Sequence, residues 1–126
     1  MKLPQPVPEL PVDDIESANL AYAARMGFHI DWVYDGQLAG ISRDAARIFL
    51  RKRTDQERAV RYCVLIWMNM DSAADVDQLH AEWKAKGVDI VKDLETASHN
   101  LREFTGQDVD GNRFRVFYDL GTSREG

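Results

Sequence analysis

The sequence predicts an α+β protein made of two βαβββ modules whose mixed sheets curl around a cleft. The first observation is a spacing. Asp14-Ile15 precedes Tyr22 by the interval at which Asp75-Val76 precedes Trp83, and a glycine and then a strand follow each helical segment. The second is punctuation: Asp35-Gly36 and Asp110-Gly111 separate short runs rich in aromatic and β-branched residues, as hairpin turns do. The third is physical. One such unit leaves a sheet face uncovered, whereas two can keep helices outside and line a ligand-sized cleft between their sheets.

Each element follows from local chemistry. Pro4, Pro6, Pro8 and Pro11 hold the first dozen residues extended, so 7–12 is expected as an edge strand, or as one pairing with another chain. Asp13-Asp14 should cap a helix with Ile15, Ala18, Tyr22 and Met26 on its apolar face, and Gly27 should end it. Strands are expected at 27–34, 37–42 and 46–52, then a charged linker at 54–58. The order repeats with a long apolar strand at 62–70. A helix follows from Asp75, carrying Val76, Leu79 and Trp83 on one face, then Gly87 and a strand opening at 88–91. The chain closes with a hairpin, 101–107 and 113–119, in which Asp110-Gly111-Asn112 supplies positive-φ residues. The expected organisation is a single domain, 1–126, with modules at 5–54 and 60–120 and a polar, frayed tail at 121–126.

Length and composition narrow the class. At 126 residues, 44% hydrophobic and 29% charged, the chain reads as one soluble globular domain. A net charge of -5 argues against a nucleic-acid surface and is compatible with a cationic ligand. Cys63 is the single cysteine, which excludes an internal disulfide, and it is expected buried in its strand. With no signal pattern and no membrane-length apolar run, the expected location is the cytoplasm.

The stretch from Arg102-Glu103-Phe104 through Asp110-Gly111-Asn112 to Phe117 resembles the hairpin that closes the vicinal-oxygen-chelate proteins. That superfamily includes glyoxalase I, the extradiol dioxygenases and the bleomycin-resistance proteins. Asp14-Ile15, Tyr22 and Met26-Gly27-Phe28 resemble its opening. The bleomycin-resistance branch is most similar: Val7-Pro8-Glu9-Leu10, Asp31-Trp32-Val33, Ala39-Gly40, Leu79-x-Ala81-Glu82-Trp83 and Arg102-Glu103-Phe104 match its motifs in order. One departure is Asn100-Leu101, where that branch often carries Trp-Gly.

The resemblance also implies where a metal would be held. The aligned ligand positions are occupied here by Val7, Phe49 and Arg115. A guanidinium has donors only and stays protonated, so Arg115 cannot ligate a cation. Neither face of 62–70 offers a histidine or carboxylate, and no metal or other cofactor is expected. The three histidines share no ligand spacing: His29 reads as surface, His80 as half-buried, His99 as a loop residue near the cleft mouth. No nucleophile elbow, phosphate loop or Cys-His pairing occurs, and Glu9, Asp31, Asp35 and Glu103 read as solvated strand ends and turns.

The remaining signal is aromatic. Strand alternation sends some of these rings to the core and some to the cleft. The expected ligand-binding set is Asp31, Trp32, Tyr34, Phe49, Trp67, Asn69, Phe104, Arg115 and Phe117, with no catalytic residue. The resemblance implies a homodimer that exchanges its N-terminal arm and sequesters a bleomycin-like antibiotic or another aromatic cation without turnover. Two alternatives stand beside it: a metal-dependent lyase, isomerase or dioxygenase of the same superfamily, and a ligand-sensing regulatory module.

Overall fold

The computed structural model describes residues 1–121; the expected tail, apart from Gly121, lies outside them. The chain divides into two compact units, the first ending at Val64 and the second beginning at Leu65. Each is a four-stranded mixed sheet with a helix on one face, and the fold class is α+β.

In the first unit, β1 (Glu9–Val12) leads through α1 (Ile15–Met26) to the meander β2 (His29–Tyr34), β3 (Leu38–Arg43) and β4 (Ala46–Lys52). The sheet order is β1-β4-β3-β2, with β1 parallel to β4 and the other pairs antiparallel. A Pro-containing strand is tolerable at that edge because half of its backbone groups need no strand partner. Asp14 caps α1 by accepting a 2.8 Å hydrogen bond from the Ser17 amide, and Gly27 ends it at φ 78°. Ile15, Ala18, Tyr22 and Met26 are buried against Leu10, Val12, Ile41, Ile48 and Leu50. Asp35 and Gly36 both take positive φ, as the β2–β3 turn requires.

Residues 54–58 are not a linker. Thr54 and Glu57 form a reciprocal capping box that starts α2 (Asp55–Val60), and Arg61 ends it in the left-handed conformation. The helix buries none of its residues. Arg51 holds it instead, donating from both terminal nitrogens to Glu57 at 2.8 Å and from Nε to Glu9 at 2.6 Å. The Arg51 guanidinium, helped by the Thr54 amide, lowers the Glu57 carboxyl from its ordinary 4.5 to about 2. A depressed carboxyl stabilises the fold above its unfolded value and loses that contribution as acid protonates it. Thermal stability should therefore fall as pH drops from 4.5 towards 2, and Glu57→Gln should flatten that part of the profile. An unchanged slope in the variant would assign the acid sensitivity elsewhere.

The second unit runs β5 (Leu65–Asn69), α3 (Ala73–Ala85), β6 (Asp89–Thr96), β7 (Leu101–Gln107) and β8 (Arg113–Asp119), in sheet order β5-β8-β7-β6 with β5 parallel to β8. The strand expected at 62–70 is confined to Leu65–Asn69, because the left-handed Arg61 and the irregular stretch after it delay its start. Cys63 is consequently exposed, not buried in a strand. Helix α3 begins two residues before Asp75, because Ser72 is the N-cap and accepts from the Asp75 amide at 3.1 Å. Val76, Leu79 and Trp83 face the sheet as expected. Trp83 is 1% exposed and meets Phe104 and Phe114 edge-on at 5.8 and 5.9 Å. Gly106 makes the approach possible: a Cβ there would lie 3.0 Å from the indole Cε3 and 3.3 Å from Val88.

In the β7–β8 turn only Gly111 takes positive φ; Asp110 and Asn112 do not. The turn is held by the Asp108 carboxylate, which accepts from the amides of Asp110 and Asn112 at 2.8 Å and from Asn112 Nδ2 at 2.9 Å. No helix among the described residues is long and apolar enough to cross a membrane.

Candidate functional site

Each sheet has one face covered by its helix, and register decides which residues reach the other. In the first unit Trp32 pairs with Gly40, Gly40 with Phe49, and Phe49 with Glu9, so these four share a row. Tyr34, Leu38 and Arg51 form the next row on that face. Ala39, Ile41, Ile48 and Leu50 alternate with them and are buried on the helix side. The Trp32 indole lies across Gly40, where a Cβ would fall 2.4 Å from the ring, and meets Phe49 at 5.3 Å. Trp32 and Tyr34 remain 39% and 67% exposed.

Asp31 reaches this face through a bulge. Ile30 pairs with Ile41 and Trp32 with Gly40, leaving Asp31 as the extra residue. Its Oδ1 accepts from His29 Nδ1 at 2.8 Å and from Ser42 Oγ at 3.0 Å, so Oδ2 remains available. The His29 bond first, then the Ser42 bond, holds the Asp31 carboxyl below its ordinary value. An ionised carboxylate thus adjoins an exposed indole.

In the second unit Trp67 pairs with Arg115 and Asn69 with Phe117; across β7, Phe117 faces Glu103 and Arg115 faces Thr105. Trp67 meets Phe117 edge-on at 5.4 Å, and the Arg115 guanidinium lies 4.3 Å over the Trp67 ring. Asn69 is exposed on the same face. Phe104 does not join this group. Alternation sends it to the helix side, where it is fully buried against Trp83 and meets the His80 ring at 5.2 Å.

Glu103 departs most from expectation. Read as a solvated strand end, it is 0% exposed. Arg115 donates to its Oε1 from Nε at 3.0 Å and approaches it with Nη2 at 2.7 Å. Lys92 Nζ stands 3.6 Å from the same oxygen and His99 Nε2 3.4 Å from Oε2, which has no hydrogen-bond partner. A buried carboxylate needs cationic partners such as Arg115 and Lys92 to offset its lost hydration. Counting back from the Asp-Gly turn would have placed Glu103 diagonally across from Arg115, which was the one signal in the sequence for this pair.

Glu9, His29 and His99 stay near the surface. Glu9 pairs with Arg51, His29 is 80% exposed, and His99 lies in the β6–β7 connection. His80 donates to Asp93 at 2.7 Å. Among the described residues no three His, Cys, Asp or Glu side chains converge as metal ligands. Phe49 faces Glu9 across the β1–β4 register, Val7 precedes β1, and Arg115 is committed to Glu103 and Trp67.

Residues 5–116 match the model of the Glyoxalase/Bleomycin resistance protein/Dioxygenase superfamily. The chain belongs to that superfamily. Similar solved structures include a bleomycin-binding protein complexed with bleomycin, at TM-score 0.76 and 18% identity, covering 93% of this chain and 99% of that one. The bleomycin resistance determinant encoded on the transposon Tn5 also aligns at TM-score 0.76 and 18% identity, over 94% and 99% of the two chains. Lactoylglutathione lyase from Agrobacterium tumefaciens aligns at 0.70 and 17%, over 93% and 95%. At these identities the superfamily members share the fold. No curated protein sequence matches the chain.

Proposed function

We propose that this superfamily member binds a planar, partly polar organic cation, such as a bleomycin-family antibiotic, without a transition metal and without turnover. The observation that carries the reading is the sheet face of the first unit opposite α1. There an exposed Trp32, braced by Phe49 and lying over Gly40, adjoins the Asp31 carboxylate, whose pKa is lowered by His29 and Ser42. An aromatic platform beside a fixed negative charge suits a flat cation. Tyr34 widens the platform. On the second unit Trp67, Phe117, Asn69 and Arg115 offer a further aromatic and polar face, although Arg115 already covers one side of Trp67. Phe104 falls outside the proposed site.

Tryptophan-fluorescence titration with bleomycin and a panel of planar aromatic cations should give saturable responses, with the ligand recovered unchanged. Trp32→Ala should cost on the order of 1–2 kcal/mol of binding. Gly40→Ala should weaken binding in the same direction by lifting the indole. Asp31→Asn should cost less and flatten the dependence on salt, since such charges are screened over about 10 Å at ordinary ionic strength. Silence across the panel would remove the antibiotic-binding reading. Recovery of altered ligand, or one tightly held Zn, Fe, Ni or Mn per chain, would favour a lyase or dioxygenase instead.

We also propose a homodimer in which residues 4–10 cross between copies. Within one chain β1 pairs with its own β4, and exchange would substitute the identical pairing from a second copy. Light scattering of a chain lacking residues 1–8 should report weakened association. A dimer of unchanged stability would rule the exchange out.

A further inference from the structure

The chain contains two Asp-Gly pairs, Asp35-Gly36 and Asp110-Gly111, each at the tip of a hairpin. An aspartate followed by glycine can react with its own backbone. The glycine nitrogen attacks the side-chain carboxyl carbon, and no Cβ on the glycine obstructs the approach. That nitrogen must first be released from any hydrogen bond, so the surroundings of each turn set its rate.

The two turns differ at this nitrogen. The Gly111 amide donates to the Asp108 carbonyl at 3.3 Å. The amides on either side of it, those of Asp110 and Asn112, donate to the Asp108 carboxylate at 2.8 Å. Asp108 is 7% exposed and Asn112 is fully buried, so the network is anchored away from water. The β2–β3 turn is closed by the Gln37 amide donating to the Tyr34 carbonyl at 2.9 Å. The Gly36 amide and the Asp35 carboxylate have no hydrogen-bond partner among the described residues. Both residues are exposed, and a Cβ on Gly36 would meet nothing within 4 Å. Asp35 also holds left-handed backbone, at φ 49°, which an L-residue adopts at a cost. Leaving that conformation to cyclise gives up little.

We propose that Asp35 is a site of spontaneous backbone rearrangement from which Asp110 is protected. The Gly36 nitrogen forms a bond to Cγ of the protonated Asp35 carboxyl. The carboxyl hydroxyl leaves with the amide proton as water, which closes a cyclic imide. Water then adds to one imide carbonyl and breaks its bond to nitrogen. Opening at the side-chain carbonyl restores aspartate. Opening at the main-chain carbonyl leaves isoaspartate, in which the backbone runs through the side-chain carbon. Water is released and taken up again, and nothing is oxidised or reduced. The extra methylene lengthens the turn between Tyr34 and Gln37, so the change acts on the end of β2 that carries Tyr34. This inference does not depend on the function proposed above.

The test is prolonged incubation of the full native chain in heavy-oxygen water at physiological temperature, followed by peptide mapping. Isoaspartyl and aspartyl peptides share a mass but separate chromatographically, and each ring opening carries a solvent oxygen into the product. Isoaspartate at 35 should exceed that at 110 by about ten-fold, the factor for one hydrogen bond that must open first. In the urea-denatured chain the two sites should react alike. Asp35→Asn keeps a residue that tolerates left-handed backbone and should speed the same ring closure, with ammonia leaving in place of water. Equal accumulation at the two native turns, an excess at 110, or no label at 35 while the denatured chain takes it up would each overturn the proposal.

Discussion

Trp83→Ala is expected to lower the unfolding free energy by about 3–5 kcal/mol, the range for deleting a large buried aromatic. Trp83 is the largest fully buried side chain, and it closes the space between α3 and the β7–β8 pair. Removing it leaves Phe104, Phe114 and the bare backbone of Gly106 facing a void that the helix cannot refill without bending. Trp83→Phe should retain part of the loss. Urea denaturation followed by far-ultraviolet circular dichroism provides the measurement, because fluorescence would lose one of its three reporters. A loss below 1 kcal/mol would mean that α3 collapses onto the sheet and that this packing is dispensable.

Arg115→Met is the second large effect, expected at about 3 kcal/mol, the lower end of the range for stranding a buried charge. Glu103 is fully buried and Arg115 supplies both of its short contacts. Lys92 at 3.6 Å and His99 at 3.4 Å soften the loss without replacing those bonds. The informative variant is the double one. Glu103→Leu with Arg115→Met removes both charges, and most of the stability should return, since an apolar pair of similar volume often equals a buried ion pair. A double variant as unstable as the single one would show that Glu103 supports the fold through contacts other than Arg115. A single variant within 0.5 kcal/mol of the parent would mean that Lys92 and His99 suffice.

Elements fixed by local chemistry were legible in the sequence. Helix α1 could be read from Asp14 to Gly27 because cap, apolar stripe and left-handed stop lie within one segment. The β7–β8 hairpin could be bounded for the same reason. Helix α2 carried a legible signal, Thr54 followed by Glu57, but its charged composition masked it, and the Arg51 bonds that hold it come from another element. The shortened β5 could not be read, since Tyr62, Cys63 and Val64 are as strand-compatible as Leu65 and Ile66; the left-handed Arg61 decides the matter.

For the candidate site, alternation gave parity but not depth. It placed Trp67 with Asn69 and Arg115 with Phe117, and the structure puts all four on one face of the second sheet. It could have excluded Phe104, whose neighbour Glu103 is the residue that faces Phe117. It could not tell that Glu103 is sealed from water, because that depends on Arg115, Lys92 and His99 arriving from three other segments. The placing of Asp31 beside Trp32 was equally hidden, since a bulge is set by the partner strand and leaves no mark on its own.

The pairing of first strand with last in each sheet also constrains how the polypeptide reaches its final form. Strands β2, β3 and β4 adjoin along the chain and can zip together as they leave the ribosome, as can β6, β7 and β8. Among the described residues, strands β1 and β5 pair only with β4 and β8, the last strands of their units to be synthesised. Each opening strand must therefore wait unpaired through the making of its whole unit, and joining it closes the longest loop in that unit. For β1 the waiting segment is rich in proline, which withholds amide donors from mispairing and keeps the strand extended until its partner exists.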